Sequence, residues 1–384
     1  MYSGLGKKMA DRRWKVLSIF GTRPEAVKMA PVVNLLSVTA EVESTVCVTA
    51  QHRQLLDQVL DLFAITPDFD LDLMRPDQTL ADLTATVIQG LDTIVRDTQP
   101  DWVLVQGDTT TVMAAGLLAY YHHVRVGHVE AGLRTGDKWQ PFPEEVNRKV
   151  TGVVADLHFA PTEQARDNLL HEGVNAESIV ITGNPVIDAL YEIAERPYNF
   201  DHPVFQAIPE GRRLILVTAH RRENFGEPMA RIFEALREIA ERYREDVHLV
   251  YPVHPNPNVR EPAHGALSGI PNLTLTEPLD YLPMTHLMKR AHLVLTDSGG
   301  LQEEAPALGT PVLVLRQVTE RPEAVQAGTA RLVGSDTEKI VSETSKLLDD
   351  PEAHRAMAQA VNPFGDGHAA ERIVQALLDY PSEY

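Results

Sequence analysis

One stretch, 294–316, reads VLTDSGGLQEEAPALGTPVLVLR and constrains the fold more than any other. The apolar run Leu293-Val294-Leu295 predicts a buried strand. It ends in Thr296-Asp297-Ser298-Gly299-Gly300, residues 301–308 continue with helical spacing, and a second apolar run, 311–315, follows Gly309. Strand, glycine turn, helix, strand is a parallel βαβ unit with its turn at the carboxyl end of the first strand. Paired glycines there let backbone N–H groups approach a ligand, and the helix N-terminus offers partial positive charge to an anion. Two readings of the turn stand side by side: a phosphate seat, or an ordinary βα turn closed by a Ser N-cap.

The same alternation runs through the chain. Strands are expected at 14–20, 45–50, 102–105, 124–127, 157–160 and 179–182, with helices at 78–96 and from Pro24 to about Leu36. Four of these strands end in glycine or ionisable residues: Gly21 to Glu25, Gln51 to Arg53, Gln106 to Thr111 and His128 to Arg134. Parallel strands put such turns along one sheet edge, where α/β proteins bind ligands. Residues 195–211, with Pro197, Pro203 and Pro209, read as a linker. A second series follows, with strands at 214–218, 247–253, 273–275 and 293–295 and a last helix at 368–379. At 384 residues the chain has room for two domains of ordinary size. The expectation is α/β: two Rossmann-like doubly wound domains, residues 14–195 and 196–365, with an active-site cleft between facing sheet edges. Residues 1–13 read as a flexible tail.

The formal charge of −19 disfavours nucleic acid and anionic lipid as partners. An anionic small molecule then needs local cations at strand ends. No apolar run approaches the ~20 residues of a membrane helix. The start, MYSGLGKKMADRR, lacks a signal peptide's apolar core, and the expected location is cytoplasmic. The single cysteine, Cys47, sits in a strand-like run and reads as a buried structural thiol.

No GxGxxG after a first strand, no P-loop and no HExxH helix is present. His128-Val129-Glu130 lacks the downstream cysteine pair that a zinc deaminase requires. What remains at the strand ends is carboxylates (Asp108, Glu130, Glu144), an imidazole (His220) and guanidiniums (Arg23, Arg134, Arg221, Arg321). That set suits acid/base chemistry on an anionic substrate. Asp108 also reads as a possible N-cap, and Glu144 and Glu145 as solvated first-turn helix residues. Arg23 and Lys28 stand near a helix start, where the dipole disfavours cations unless an anion is expected.

The blocks GTRPEAVKMAP, TAQHRQLLDQVL, GDTTT, VGHVEAGLRTGD, PFPEEVNR, TAHRREN, DSGGLQEEAPALGTPVLVLR and ERPEAV occur in this order across residues 15–379. Together they resemble the bacterial non-hydrolysing UDP-N-acetylglucosamine 2-epimerases. The resemblance implies a GT-B-like pair of Rossmann-type domains, a homodimer, and a C-terminal helix (366–384) that packs back onto the first domain. It implies interconversion of UDP-GlcNAc and UDP-ManNAc through UDP elimination to 2-acetamidoglucal, with no cofactor and no metal. It places catalysis on Asp108, Glu130, Glu144 and His220, and phosphate contacts on Arg23, His220, Ser298, Gly299 and Gly300. Glu304 would meet the ribose, Lys28 and Arg321 would add positive charge, and Tyr281 to Met284 would lie by the uracil. A second UDP-GlcNAc would act as activator on Gln51, Gln54, Glu144, Arg221 and His254. Departures from the family pattern are Met284 where an aromatic is common, Asp77 where some members carry arginine (with Arg75 nearby), Gln106 for His, and Pro185 for Thr. The alternatives are a hydrolysing epimerase that releases UDP and ManNAc, or a GT-B glycosyltransferase.

Overall fold

Every ladder between strands is parallel, and the strands fall into two sheets. The computed structural model describes residues 13–49, 53–73, 75 and 78–381, with the backbone alone for Arg53 and Gln54. The first sheet holds β1 (Trp14–Phe20), β2 (Val42–Val48), β3 (Phe69–Asp70), β4 (Trp102–Gln106), β5 (Arg125–Val129), β6 (Leu157–Ala160) and β7 (Ile179–Ile181), in the order β3-β2-β1-β4-β5-β6-β7. The second holds β8 (Arg213–Thr218), β9 (Val247–Pro252), β10 (Leu273–Thr276), β11 (Leu293–Thr296), β12 (Val312–Val314) and β13 (Ala330–Leu332), in the order β10-β9-β8-β11-β12-β13. The winding reverses once in each sheet, between β1 and β4 and between β8 and β11. Doubly wound sheets open their ligand crevice at that point, outside the strands' carboxyl ends. The two Rossmann-like doubly wound units expected from the sequence are present.

Sheets covered by helices on both faces need strands that are apolar throughout. Trp102–Gln106 is buried at every residue, and Val103 and Val105 pack with Leu83, Val87, Leu91 and Leu118 in the first core. The second core gathers Ile215, Val217, Phe233, Leu236, Leu249 and Leu295. Position 127 shows how tight the first sheet is: a Cβ on Gly127 would stand 2.5 Å from Leu104 Cδ2. Cys47 is fully buried in β2, and burial pushes its thiol up to about 12, so it stays protonated.

The chain divides into two compact units, Met1–Ala189 with Phe364–Tyr384, and Leu190–Pro363. The division falls inside the helix Pro185–Glu195, not after it. Asp188 there accepts from Ala370 N–H (2.8 Å) in the first unit. Farther along, Tyr191 donates to Ala307 O (3.2 Å) and Ala194 O accepts from Lys289 (2.8 Å) in the second. The C-terminal helix Ala369–Leu378 belongs to the first unit and buries Ile373, Val374 and Leu377. Apart from Arg13, the tail expected at 1–13 lies outside the described residues.

Three local expectations are corrected. Residues 195–211 are no linker: a short helix, Pro203–Gln206, buries Val204 and Phe205, and Tyr198 stacks on His286 at 4.8 Å. Residues 254–258, HPNPN, read from the sequence as a turn, but a helix at Pro257–Leu267 begins within them, because Pro257 sits in its first turn, where no N–H is needed, and Asn256 caps it. Finally, β5 runs on to Val129, so His128 lies in the strand, donating Nε2–H to Gly107 O at 2.8 Å. Its burial lowers the imidazole to about 4, which keeps it neutral. Among the described residues no helix is long and apolar enough to cross a membrane.

Candidate active site

In the first unit, side chains from the helix after β1, the end of β4 and the turn after β7 converge on one carboxylate, which follows β5. Glu130, immediately after β5, has φ +63°, a left-handed conformation uncommon for a residue with a side chain. Lys28 donates to its two oxygens at 2.6 and 2.7 Å, Gln106 Nε2 reaches Oε2 at 2.5 Å, and Asn184 Nδ2 reaches Oε1 at 2.9 Å. The backbone strain is thus held by donors from three separate segments. Next along the sheet edge, Gly107 turns the chain with φ +84°, and a Cβ there would stand 3.7 Å from Glu130 Oε2.

Asp108 follows. It is no N-cap: Thr109 caps the helix Thr110–Tyr121, accepting from Val112 N–H. Instead Arg148 grips one Asp108 oxygen with two donors, at 2.6 and 2.9 Å, while Asn147 Nδ2 donates to the Asp108 carbonyl at 2.9 Å. Arg148 also reaches Glu145 Oε2 at 3.0 Å. Glu145 is fully buried, accepting from the N–H groups of Thr135 and Gly136 as well, which overturns its reading as a solvated residue. Its neighbour Glu144 opens the same helix, Glu144–Val154. It is half-buried, with Oε2 shielded from solvent and no hydrogen-bond partner among the described residues. Of two adjacent glutamates, one is structural and the other is left available.

At the end of β1 the backbone turns tightly, and a Cβ on Gly21 would meet Thr49 Oγ1 at 2.1 Å. Glu25 folds back to accept from Gly21 and Thr22 N–H (2.6 and 2.9 Å), closing a capping box with Thr22. Burial raises the Glu25 carboxyl above its ordinary range, partly opposed by these hydrogen bonds and by Thr109. Arg23, at the first position of the helix Arg23–Val38, is half-buried and has no ion-pair or hydrogen-bond partner among the described residues. The anion expected at this helix start is not supplied by a protein carboxylate on Arg23.

The second unit gathers its polar groups where β8 and β11 end. Thr218 and Thr296 hydroxyls tie the strands together at 2.6 Å, and Thr296 Oγ1 accepts from Ser298 N–H at 2.9 Å. Asp297, fully buried, accepts on Oδ2 from His220 N–H, Arg221 N–H and Asn224 Nδ2 at 2.8, 2.8 and 3.0 Å. Ser298 stands at the N-cap of the helix Gly299–Ala307, but its hydroxyl makes no capping bond. That observation favours the ligand-binding alternative for this turn over the capping one. Around Gly299, a Cβ would stand 3.7 Å from Arg221 Nη2 and 3.6 Å from Glu320 Oε2; around Gly300, 3.9 Å from Ser298 Oγ and 4.0 Å from Glu304 Oε1. Arg221, Ser298, Gly299, Gly300 and Glu304 therefore surround one helix N-terminus, arranged for an anion flanked by hydroxyl groups. The imidazoles of His220 and His254 stack at 5.4 Å.

Not every expected residue fits its expected place. Lys28 and Arg321, expected as positive charge for the ligand, are each engaged by a carboxylate, Glu130 and Glu303 respectively. Arg134 clamps Glu172 at 2.7 Å. Tyr281 and Met284 lie half-buried in the first turns of the helix Tyr281–Arg290. Gln51 and Asp77 lie outside the described residues, as does the side chain of Gln54; Arg75 is exposed. The sequence reading missed the residues that hold the site: Gln106, Asn184, Asn147, Arg148, Asn224 and Asp297. The signal available for Arg148 was its spacing of three from Glu145 on a helix. For Asp297 it was a carboxylate where an apolar strand meets a glycine pair.

Residues 35–378 match the family model described as UDP-N-acetylglucosamine 2-epimerase. The UDP-N-acetylglucosamine 2-epimerase of Bacillus subtilis (strain 168) is 55% identical over 367 residues, covering 96% of this chain and 96% of that relative. A crystal structure of the UDP-GlcNAc 2-epimerase of Neisseria meningitidis bound to UDP-GlcNAc is similar at 49% identity and a TM-score of 0.88, over 95% of this chain and 99% of that one. The Methanocaldococcus jannaschii enzyme in complex with UDP-GlcNAc and UDP is similar at 33% identity and a TM-score of 0.78, over 95% and 99%.

Proposed function

The chain belongs to the UDP-N-acetylglucosamine 2-epimerase family, an isomerase family, and from that premise we propose that it interconverts UDP-GlcNAc and UDP-ManNAc without hydrolysis. The likeness to the Neisseria enzyme, which covers nearly the whole chain and binds UDP-GlcNAc, carries the choice of substrate.

C2–H of the sugar is weakly acidic, so its removal is coupled to departure of the group at C1. A base takes the C2 proton, the C–H electrons form C1=C2, and the C1–O pair leaves on the UDP β-phosphate. The intermediate is 2-acetamidoglucal. UDP then adds back to C1 while a proton reaches the opposite face of C2, so the carbons suffer no net oxidation and the balance calls for no cofactor. Two faces require two proton-transfer groups, and Asp108, Glu130 and Glu144 are the candidates. The leaving diphosphate needs fixed positive charge and N–H donors. Arg23, His220, Ser298, Gly299 and Gly300 fill that role in this reading, with Glu304 accepting from the ribose. Tyr281 and Met284 would flank the uracil. The reading also includes a second UDP-GlcNAc as activator on Gln51, Gln54, Glu144, Arg221 and His254, and a cytoplasmic homodimer. These parts rest on the family resemblance.

Cleavage at C1 is tested with UDP-GlcNAc carrying oxygen-18 in the bridge between C1 and the β-phosphate. The label should move into non-bridging β-phosphate positions, seen by phosphorus NMR, while UDP-ManNAc accumulates. Complete epimerisation with the label held in the bridge would contradict elimination. Started from UDP-ManNAc alone, the same reaction should show a sigmoid rate; a hyperbolic rate argues against the activator.

A further inference from the structure

The second unit contains a buried carboxylate with one oxygen fully engaged and the other left over. Asp297 Oδ2 takes three donors, from His220, Arg221 and Asn224, while Asp297 is fully buried and its Oδ1 has no hydrogen-bond partner among the described residues. Buried acceptors in folded proteins are nearly always satisfied, so an exception calls for a reason. His220 Nδ1 stands 3.5 Å from Oδ1, beyond an ordinary N–H···O bond yet within reach of a small ring rotation. Stacking on His254 restricts the ring plane, and the three bonds on Oδ2 fix the carboxylate. His220 Nε2 makes no hydrogen bond among the described residues.

We propose that Asp297 is a positioning residue for His220: its Oδ1 receives Nδ1–H, leaving Nε2 as the nitrogen offered to the ligand, and stabilises the imidazolium once an anion arrives. The functional consequence, charge on His220 during departure of a diphosphate, rests on the reading above. So does the seating of UDP on His220, whereas the Nδ1–H tautomer of the free protein does not. The charged and titratable groups facing His220 are Asp297, His254 and Arg221. Burial lowers the His220 pKa, Asp297 opposes that, and His254 and Arg221 reinforce it. The ring is therefore neutral in the free protein at neutral pH. An added anion shifts the balance toward the charged form, in which both ring nitrogens donate: Nδ1–H to Asp297 and Nε2–H to a phosphate oxygen.

The test uses UDP as the probe, with calorimetric titrations at pH 7 in buffers of different ionisation enthalpy. The wild-type protein should take up about one proton per UDP bound, and Asp297→Asn should take up none. The amide keeps the shape but turns a donor toward Nδ1, forcing the opposite tautomer. With UDP-GlcNAc as substrate, the Asn variant should lose kcat by ~10²-fold with a smaller change in KM. Tight UDP binding by wild type with no proton uptake, or an Asn variant with the wild-type uptake and kcat, overturns the proposal. Proton uptake without epimerisation would instead retain it and remove the reading it extends. Should the variant fail to fold, long-range nitrogen–proton NMR of the free wild-type protein decides. The Nδ1–H tautomer at His220 is expected, and the Nε2–H tautomer contradicts it.

Discussion

Glu130→Gln is expected to lower turnover by ~10²–10⁴-fold, the usual worth of a positioned acid or base. It should also weaken the fold, and separating the two effects makes the prediction useful. Glu130 and Lys28 form an ion pair with side-chain exposures of 5% and 18%. Removing one partner of such a pair leaves the other charge unpaired away from water, which costs about 3 kcal/mol. Gln106 and Asn184 also aim N–H donors at position 130, and an amide can accept them on one atom only. Lys28→Met alone should therefore destabilise by a similar amount, and the double variant Lys28→Met/Glu130→Gln should regain most of the loss. Turnover should not return with stability. Urea unfolding and initial rates on the three variants check this. A double variant that recovers both would show that the carboxylate only balances Lys28.

The second large effect is expected at Arg148. All hydrogen bonds to the Asp108 carboxylate among the described residues come from this guanidinium, which also reaches the fully buried Glu145. Arg148→Met would leave two carboxylates without the cation between them. Asp108 retains some contact with water, at 27% side-chain exposure, so the stability loss is set near the lower end for a broken buried pair, about 3 kcal/mol. Glu145 keeps its bonds from Thr135 and Gly136. Asp108 keeps only its backbone tie to Asn147, so its carboxylate loses a fixed direction and the rate should fall by ~10²-fold or more. Arg148→Lys tests the fork against the charge. A lysine restores part of the stability but grips as a single point, and the rate should stay low. A stable Arg148→Met variant with native kcat would mean that Asp108 is placed by something other than Arg148.

These two sites mark the limit of what the sequence conveyed. Apolar runs and glycine turns identified the parallel strands and their loaded carboxyl ends, because burial on both faces and ligand access each leave a local signature. Pairings across the fold leave none: Lys28 and Glu130 are 102 positions apart, and nothing near either discloses the other. The sequence accordingly offers Lys28 and Arg321 as positive charge for a ligand, while the fold pairs them with Glu130 and Glu303. Glu144 and Glu145 could not be told apart, since which one turns inward depends on about 100° of helix rotation fixed by packing. The helix Pro257–Leu267 was masked by its own prolines, two of which it tolerates at its start and interior. Asp297 was hidden for another reason. A carboxylate in a strand-end turn looks like a ligand contact, and only the three donors converging on it show that it holds other residues in place.

The central claim is that C2 loses its proton as UDP departs and regains one on the opposite face as UDP adds back. The direct measurement is to incubate the pure protein with UDP-GlcNAc in D₂O and follow the sugar by NMR. UDP-ManNAc should form with deuterium at C2, deuterium should also enter the UDP-GlcNAc pool, and little free sugar should appear. Stoichiometric release of UDP and ManNAc, or epimerisation with the original hydrogen kept at C2, would contradict the account.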